Sequence, residues 1–161
     1  MPRPPRQGAP ASPYKEKVLD MRRVTRVVAG GKRFRFRATL VIGNEQGQIG
    51  IGVAKGLDVQ QAVAKAKAQA MRDLVNVNLF EKRTIPHEVE AKYSAAKVRI
   101  KPAPHGHGLR AGSAVRQVLA LAGIKDASAK VLGRTPNKLT NALAAIEALK
   151  SIKSVKPKPI E

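Results

Sequence analysis

The sequence predicts an α+β fold in two small units. Three observations point that way: basic, β-branched residues run into a strictly alternating stretch, an Ala-rich helical stripe follows, and a break near residues 80–86 is sealed by Pro86 before shorter strands and two more helices. The expected division is an arm over residues 1–14, a first unit over 15–82, a second over 86–150 and a tail over 151–161.

The arm holds Pro and Gly without an apolar period, which suits an extended segment. Arg22 to Val28 is β-branched and ends at Gly30-Gly31, a hairpin break. From Lys32 to Ile42 the residues alternate. Phe34, Phe36, Ala38, Leu40 and Ile42 share one face, expected to be buried, and Arg33, Arg35 and Arg37 share the other, expected to be a basic outer surface. Residues 43–47 read as a turn and Gln48 to Val53 as a third strand, whose Gly50 and Gly52 lead one to expect a close approach to its backbone. Asp58 with Gln61 has the spacing of a capping box. The helix behind it carries the stripe Val59, Ala62, Val63, Ala66, Ala70 and Leu74, which sets one helix across a three-stranded antiparallel sheet.

The second unit reads as a strand pair near Glu88–Tyr93 and Lys97–Lys101, then a glycine-rich loop holding His105, Gly106, His107 and Gly108. A helix over about 112–122 stops at Gly123, and a short strand spans 129–132. A last helix is expected with Thr135 as N-cap, Pro136 at its first position and the stripe Leu139, Ala142, Leu143, Ile146 and Leu149.

Composition narrows the function. The chain has 161 residues, 43% of them hydrophobic, and 31 Lys and Arg against 11 Asp and Glu, a formal charge of +20. A folded chain with that field attracts a polyanion. The absence of cysteine excludes disulfides and thiolate zinc sites. No apolar run has the length of a membrane span, and the N-terminus lacks the apolar centre of a signal peptide, so a cytosolic or equivalent compartment is expected.

Between Lys15 and Arg37 there are nine Lys or Arg and only Glu16 and Asp20. A solvated charged face would carry more pairing carboxylates, whereas arginines held in strand register suit phosphate oxygens. With few aromatics, and Phe34 and Phe36 assigned to the core face, base stacking is not expected as the main mode; backbone and shape recognition of a structured RNA fits better. His105 and His107 lack further ligands for a metal, and Gly50-x-Gly52-x-x-x-Gly56 misses the dinucleotide spacing. The scattered carboxylates assemble no nucleophile, base and orienter, so the chain is not expected to be an enzyme or to need a cofactor. The expected phosphate contacts are Arg22, Arg23, Arg26, Lys32, Arg33, Arg35 and Arg37, with close backbone approach at Gly30 and Gly31. The competing readings are a free RNA-binding regulator or chaperone, a fragment of an RNA-modifying enzyme suggested by the His105 loop, and a membrane-surface binder, which the lack of a basic helix face opposite bulky aromatics disfavours.

These residues carry a resemblance. The run Gly31-Lys32, Phe36, Ala38, Val41-Ile42-Gly43-Asn44, Gly47, Ile49-Gly50 and Gly52 resembles the N-terminal signature of the small-subunit ribosomal protein S-five family, bacterial type. Gly106, Gly108-Leu109, Ala111-Gly112, Arg116, Val118-Leu119 and Ala122-Gly123 match a second stretch, and Gly133, Asn137-Lys138-Leu139 and Ala145 to Leu149 a third. The resemblance implies a double-stranded-RNA-binding-like first domain and a second domain of two helices on a four-stranded sheet. It implies a structural constituent of the small subunit that binds rRNA at the junction of head and body. It further implies contacts with the S-four and S-eight proteins, a place beside the path along which mRNA enters, and an influence on decoding accuracy. The loop toward head rRNA corresponds to Arg23 through Gly31, with Thr25 and Arg26; Lys55 is carried with the rRNA-binding set; and the S-four surface corresponds to the region of Gly108 and Arg116.

Overall fold

The computed structural model describes residues 13–152, so the arm and the tail lie almost wholly outside the described residues. The elements run β1 (Lys15–Val28), β2 (Gly31–Gly43), β3 (Gln48–Gly56), α1 (Val59–Arg72), β4 (Val75–Asn76), β5 (Val89–Tyr93), β6 (Ala96–Pro102), β7 (Leu109–Arg110), α2 (Ser113–Ala122), β8 (Ala127–Val131) and α3 (Lys138–Lys150). They form one sheet ordered β1-β2-β3-β4 and a second ordered β5-β6-β8-β7. The first is antiparallel throughout; in the second, β7 runs parallel to β8. The α+β class and the order of units are as the sequence predicts. The two-residue strands β4 and β7 are additions, too short to leave a period.

On one face of the first sheet, α1 packs by its small residues. Ala62, Ala66 and Ala70 are fully buried against Ala38, Leu40 and Ile42. The glycines of β3 make this possible: a Cβ on Gly52 would overlap the carbonyl oxygen of Ala66, and one on Gly50 that of Ala70. The close approach expected at β3 is therefore made by the chain's own helix. Asp58 precedes α1 as expected, but its side chain makes no capping bond, so the capping box is not formed, and Val59 is 43% exposed rather than buried.

The opposite face of this sheet is not solvated where a half-buried strand would have it so. Ala38 to Gly43 are all buried, because Thr39 and Val41 turn away from α1 into the second unit. Leu19, Val41, Ile49 and Ile51 share one apolar cluster with Val118, Leu119, Leu121, Ile146 and Leu149. The turn between β2 and β3 closes the seam. Glu45 N donates to Leu121 O at 3.0 Å and Gly47 N to Ala122 O at 2.9 Å, so carbonyls at the end of α2, which lack partners within the helix, are satisfied from the other unit. Gly123 takes the left-handed conformation expected after that helix, φ 93°, with the Glu45 backbone against its Cα.

In the second unit α3 lies over β5 and β6, α2 packs between α3 and the first sheet, and the inner residues Val89, Val98, Ile100 and Ala127 are buried in the shared apolar cluster. Its last strand begins at Ala127, two residues before the expected start. The cap of α3 is Asn137, not Thr135: the Asn137 side chain accepts from Leu139 N at 3.1 Å, while the Thr135 hydroxyl accepts from Asn137 N at 3.3 Å and fixes the turn before it. Asn competes well for the cap, and Pro136 is left outside the helix.

Candidate nucleic-acid interface

β1 and β2 pair along their whole length, but β3 gives out opposite Phe36, whose partner is Gly56. Beyond that row the two strands continue as a ribbon through Val24↔Arg35, Thr25↔Phe34, Arg26↔Arg33, Val27↔Lys32 and Val28↔Gly31. Neighbours across an antiparallel pair share a face, so the register sorts the side chains. One face carries Arg22, Arg37 and Lys55 in a row over three strands, then Arg35, then Arg26 beside Arg33. Successive rows on that face are about 7 Å apart. The other face carries Arg23 beside Phe36, Thr25 beside Phe34, and Val27 beside Lys32.

The ribbon is exposed at nearly every position, Arg37 being half-buried at its root. Arg22 bonds Asp20 at 2.6 Å, and Asp20 also lies 3.9 Å from Lys138. Among the described residues, Arg23, Arg26, Lys32, Arg33, Arg35, Arg37 and Lys55 form no ion pair. Their charge is available to a ligand.

The reading of Phe34 as a core residue is corrected. It shares a face with Ala38, Leu40 and Ile42, as alternation requires, yet it is 47% exposed because β3 ends before reaching its row. Arg23 lies over its ring, guanidinium carbon 4.4 Å from the centroid. At the tip, Gly31 adopts φ +131°, a conformation that L side chains rarely take, and the space around both Gly30 and Gly31 is open. The tip backbone can be approached closely.

Gly108 and Arg116 lie in the second unit, on the glycine-rich loop and on α2. Arg116 is exposed, and Gly108, φ +76°, donates its N–H to Asp126 Oδ1 at 2.9 Å. Asp126 was not singled out by sequence. It is 2% exposed, bonds Arg83 at 2.6 Å through its other oxygen, and accepts the Thr84 hydroxyl on its backbone carbonyl. The Arg83 guanidinium, then the Gly108 N–H, hold its carboxyl below the ordinary aspartate range. A lone carboxylate bonded 43 residues away leaves no local pattern to read. A second charged surface also went unforeseen. The outer face of β5 and β6 sets Glu88 and Glu90 among Lys97, Arg99 and Lys101, and Lys97, then Arg99, lower the Glu90 carboxyl.

His105 and His107 are exposed, and among the described residues no three His, Cys, Asp or Glu side chains gather as metal ligands. No helix of the described residues is long and apolar enough to cross a membrane.

Comparison with known proteins covers both units. Residues 14–78 match the family described as "Ribosomal protein S5, N-terminal domain", and residues 91–160 match "Ribosomal protein S5, C-terminal domain". The chain is 49% identical over 143 residues to "Small ribosomal subunit protein uS5" of Synechococcus elongatus, covering 89% of this chain and 79% of that protein. It is 48% identical over 141 residues to "Small ribosomal subunit protein uS5c" of Guillardia theta, covering 88% of this chain and 83% of that one. To the uS5 protein of Thermosynechococcus vestitus it is 44% identical over 150 residues, 93% of this chain and 86% of the relative.

Proposed function

The chain belongs to the ribosomal protein S5 family, in its bacterial type, and from that premise we propose that its β1–β2 ribbon grips rRNA by the arginine face. It is a non-enzymatic structural constituent of the small ribosomal subunit, with rRNA and other ribosomal proteins as partners. The finer reading is that it sits at the junction of head and body beside the path along which mRNA enters, touches the S-four and S-eight proteins, and contributes to translational accuracy. Arg22, Arg26, Arg33, Arg35, Arg37 and Lys55 meet phosphates from one side, Arg23, Thr25 and Lys32 contact the RNA from the other, and Gly30 and Gly31 admit its backbone at the tip. Gly108 and Arg116 face a neighbouring protein, with Asp126 holding the loop that carries Gly108. The working division is residues 15–82 for the RNA-binding unit and 86–150 for the partner-facing one, flanked by the arm and the tail.

The observation that carries this is the row of arginines on a single face of an exposed ribbon, of which Arg26, Arg33, Arg35 and Arg37 form no ion pair among the described residues. Arginine forks so arranged bind phosphate oxygens in pairs, and each phosphate neutralised releases counterions. Replacing Arg26 and Arg33 together by Ala is expected to weaken rRNA binding and to flatten the slope of log K against log salt by about two. An unchanged slope sinks the assignment of this face. Co-sedimentation with small subunits after a high-salt wash separates this reading from a free RNA regulator, which would be stripped off.

A further inference from the structure

We infer that the other side of the ribbon, built on Arg23 and Phe34, is a stacking platform for one unpaired nucleobase of the RNA whose phosphates the arginine face engages. The inference rests on the RNA-binding reading and adds to it a second kind of contact. Phe34 is 47% exposed and Val27 beside it 74%, and among the described residues neither belongs to an apolar cluster. The apolar cluster under α1 reaches Phe36 and stops there. The Arg23 guanidinium lies over the Phe34 ring, 4.4 Å from its centroid. A ring and a guanidinium plane are the two surfaces on which splayed RNA bases stack, and here they already form two layers that a base extends to three. Opposite Phe34 stands the Thr25 hydroxyl, able to donate to or accept from a base edge or a 2′-hydroxyl.

Strand alternation sets the geometry of the ligand. Because Arg26, Arg33 and Arg35 point to one side and Arg23, Thr25 and Phe34 to the other, an RNA that satisfies both must straddle the ribbon, phosphates on one side and an unstacked base on the other. A continuous duplex keeps its bases stacked inside; a bulge, a loop or a strand end does not. The charge around the platform, Arg23 and Lys32 with no carboxylate paired to either among the described residues, suits a nucleotide better than an apolar protein side chain.

The test uses the full chain and two RNA hairpins, one with a continuous stem and one with the same stem carrying a single unpaired adenosine. The unaltered chain is expected to prefer the bulged stem. Phe34→Ala and Phe34→Leu are expected to abolish that preference, weakening binding to the bulged stem by about 5- to 150-fold while leaving affinity for the continuous stem and the salt slope unchanged. Phe34→Tyr keeps the preference. The Arg26→Ala, Arg33→Ala pair flattens the salt slope on both hairpins and keeps the ratio between them. Equal binding of both hairpins by the unaltered chain, with a steep salt slope, overturns the platform and leaves phosphate binding standing. Equal losses on both hairpins for Phe34→Ala, with the fold intact by circular dichroism, also overturn it, since Phe34 then only supports the ribbon. Failure of the unaltered chain to bind either hairpin overturns both readings.

Discussion

At Gly52 a single hydrogen decides whether a helix can lie on a sheet. Any β-carbon there meets the Ala66 carbonyl, a backbone atom with no freedom to move aside, so Gly52→Ala is expected to destabilise the chain by about 1–3 kcal/mol in a denaturant melt. Gly30, whose surroundings are open and whose φ lies outside the left-handed region, is the internal control: Gly30→Ala should change stability by less than about 0.5 kcal/mol. Asp126 gives a pH signature. Its carboxyl is held low by Arg83 and Gly108, so its contribution is complete above the ordinary aspartate pKa of about 3.9 and is lost as pH falls through its own, lower value. Asp126→Asn keeps an oxygen for Gly108 but loses the charged bond to Arg83. Its stability deficit should be largest at neutral pH and close in melts carried toward pH 2; a deficit independent of pH would show that the charge contributes nothing. The β3 glycines announced themselves in the sequence because a side chain missing twice in one strand is a local pattern. Asp126 did not, because its meaning lies in a residue far along the chain.

The ribbon and the sheet it grows from are one pair of strands with two environments. From Ala38 to Gly43, β2 has strands on both sides and packed residues on both faces; from Gly31 to Arg35 it has only β1. Local opening is expected to follow that difference. In hydrogen exchange, the amides of Val24–Val28 and Gly31–Arg35 should exchange by local fluctuation, while those of Ala38–Ile42 wait for global unfolding. Comparable protection in both stretches would count against an unsupported ribbon. The alternation of Phe34 through Ile42 was legible as a face, and the face is real. Its burial was not legible, because that depends on where a different strand ends. The same holds for α3: the stripe from Leu139 to Leu149 marked the helix, but the choice between Thr135 and Asn137 as its cap rested on which side chain meets the Leu139 amide.

Over the whole chain, the two units that read as separate blocks in the sequence share an interior. Val41, Ile49 and Ile51 belong to the same cluster as Leu119, Ile146 and Leu149, so the first sheet is covered on one face by α1 and on the other by the second unit. The alternating pattern hid this, since Arg33, Arg35 and Arg37 made that whole face read as a basic outer surface. Ile49→Ala is expected to cost about 2–5 kcal/mol and to shift the unfolding of both units together, seen as one transition by probes in either half. Two separated transitions, only the first of them moved, would show that the units fold independently. Family membership was legible because its motifs are glycines and small residues at fixed turns and seams, the positions where physics leaves least choice.

Where the bend at Glu45 and Gly47 hands its amides to the last carbonyls of α2, the two units are tied backbone to backbone. The base of the arginine prong and the flank bearing Arg116 thereby rest on one frame, so the spacing between the two contact surfaces is set by packing at this seam rather than by the length of a linker.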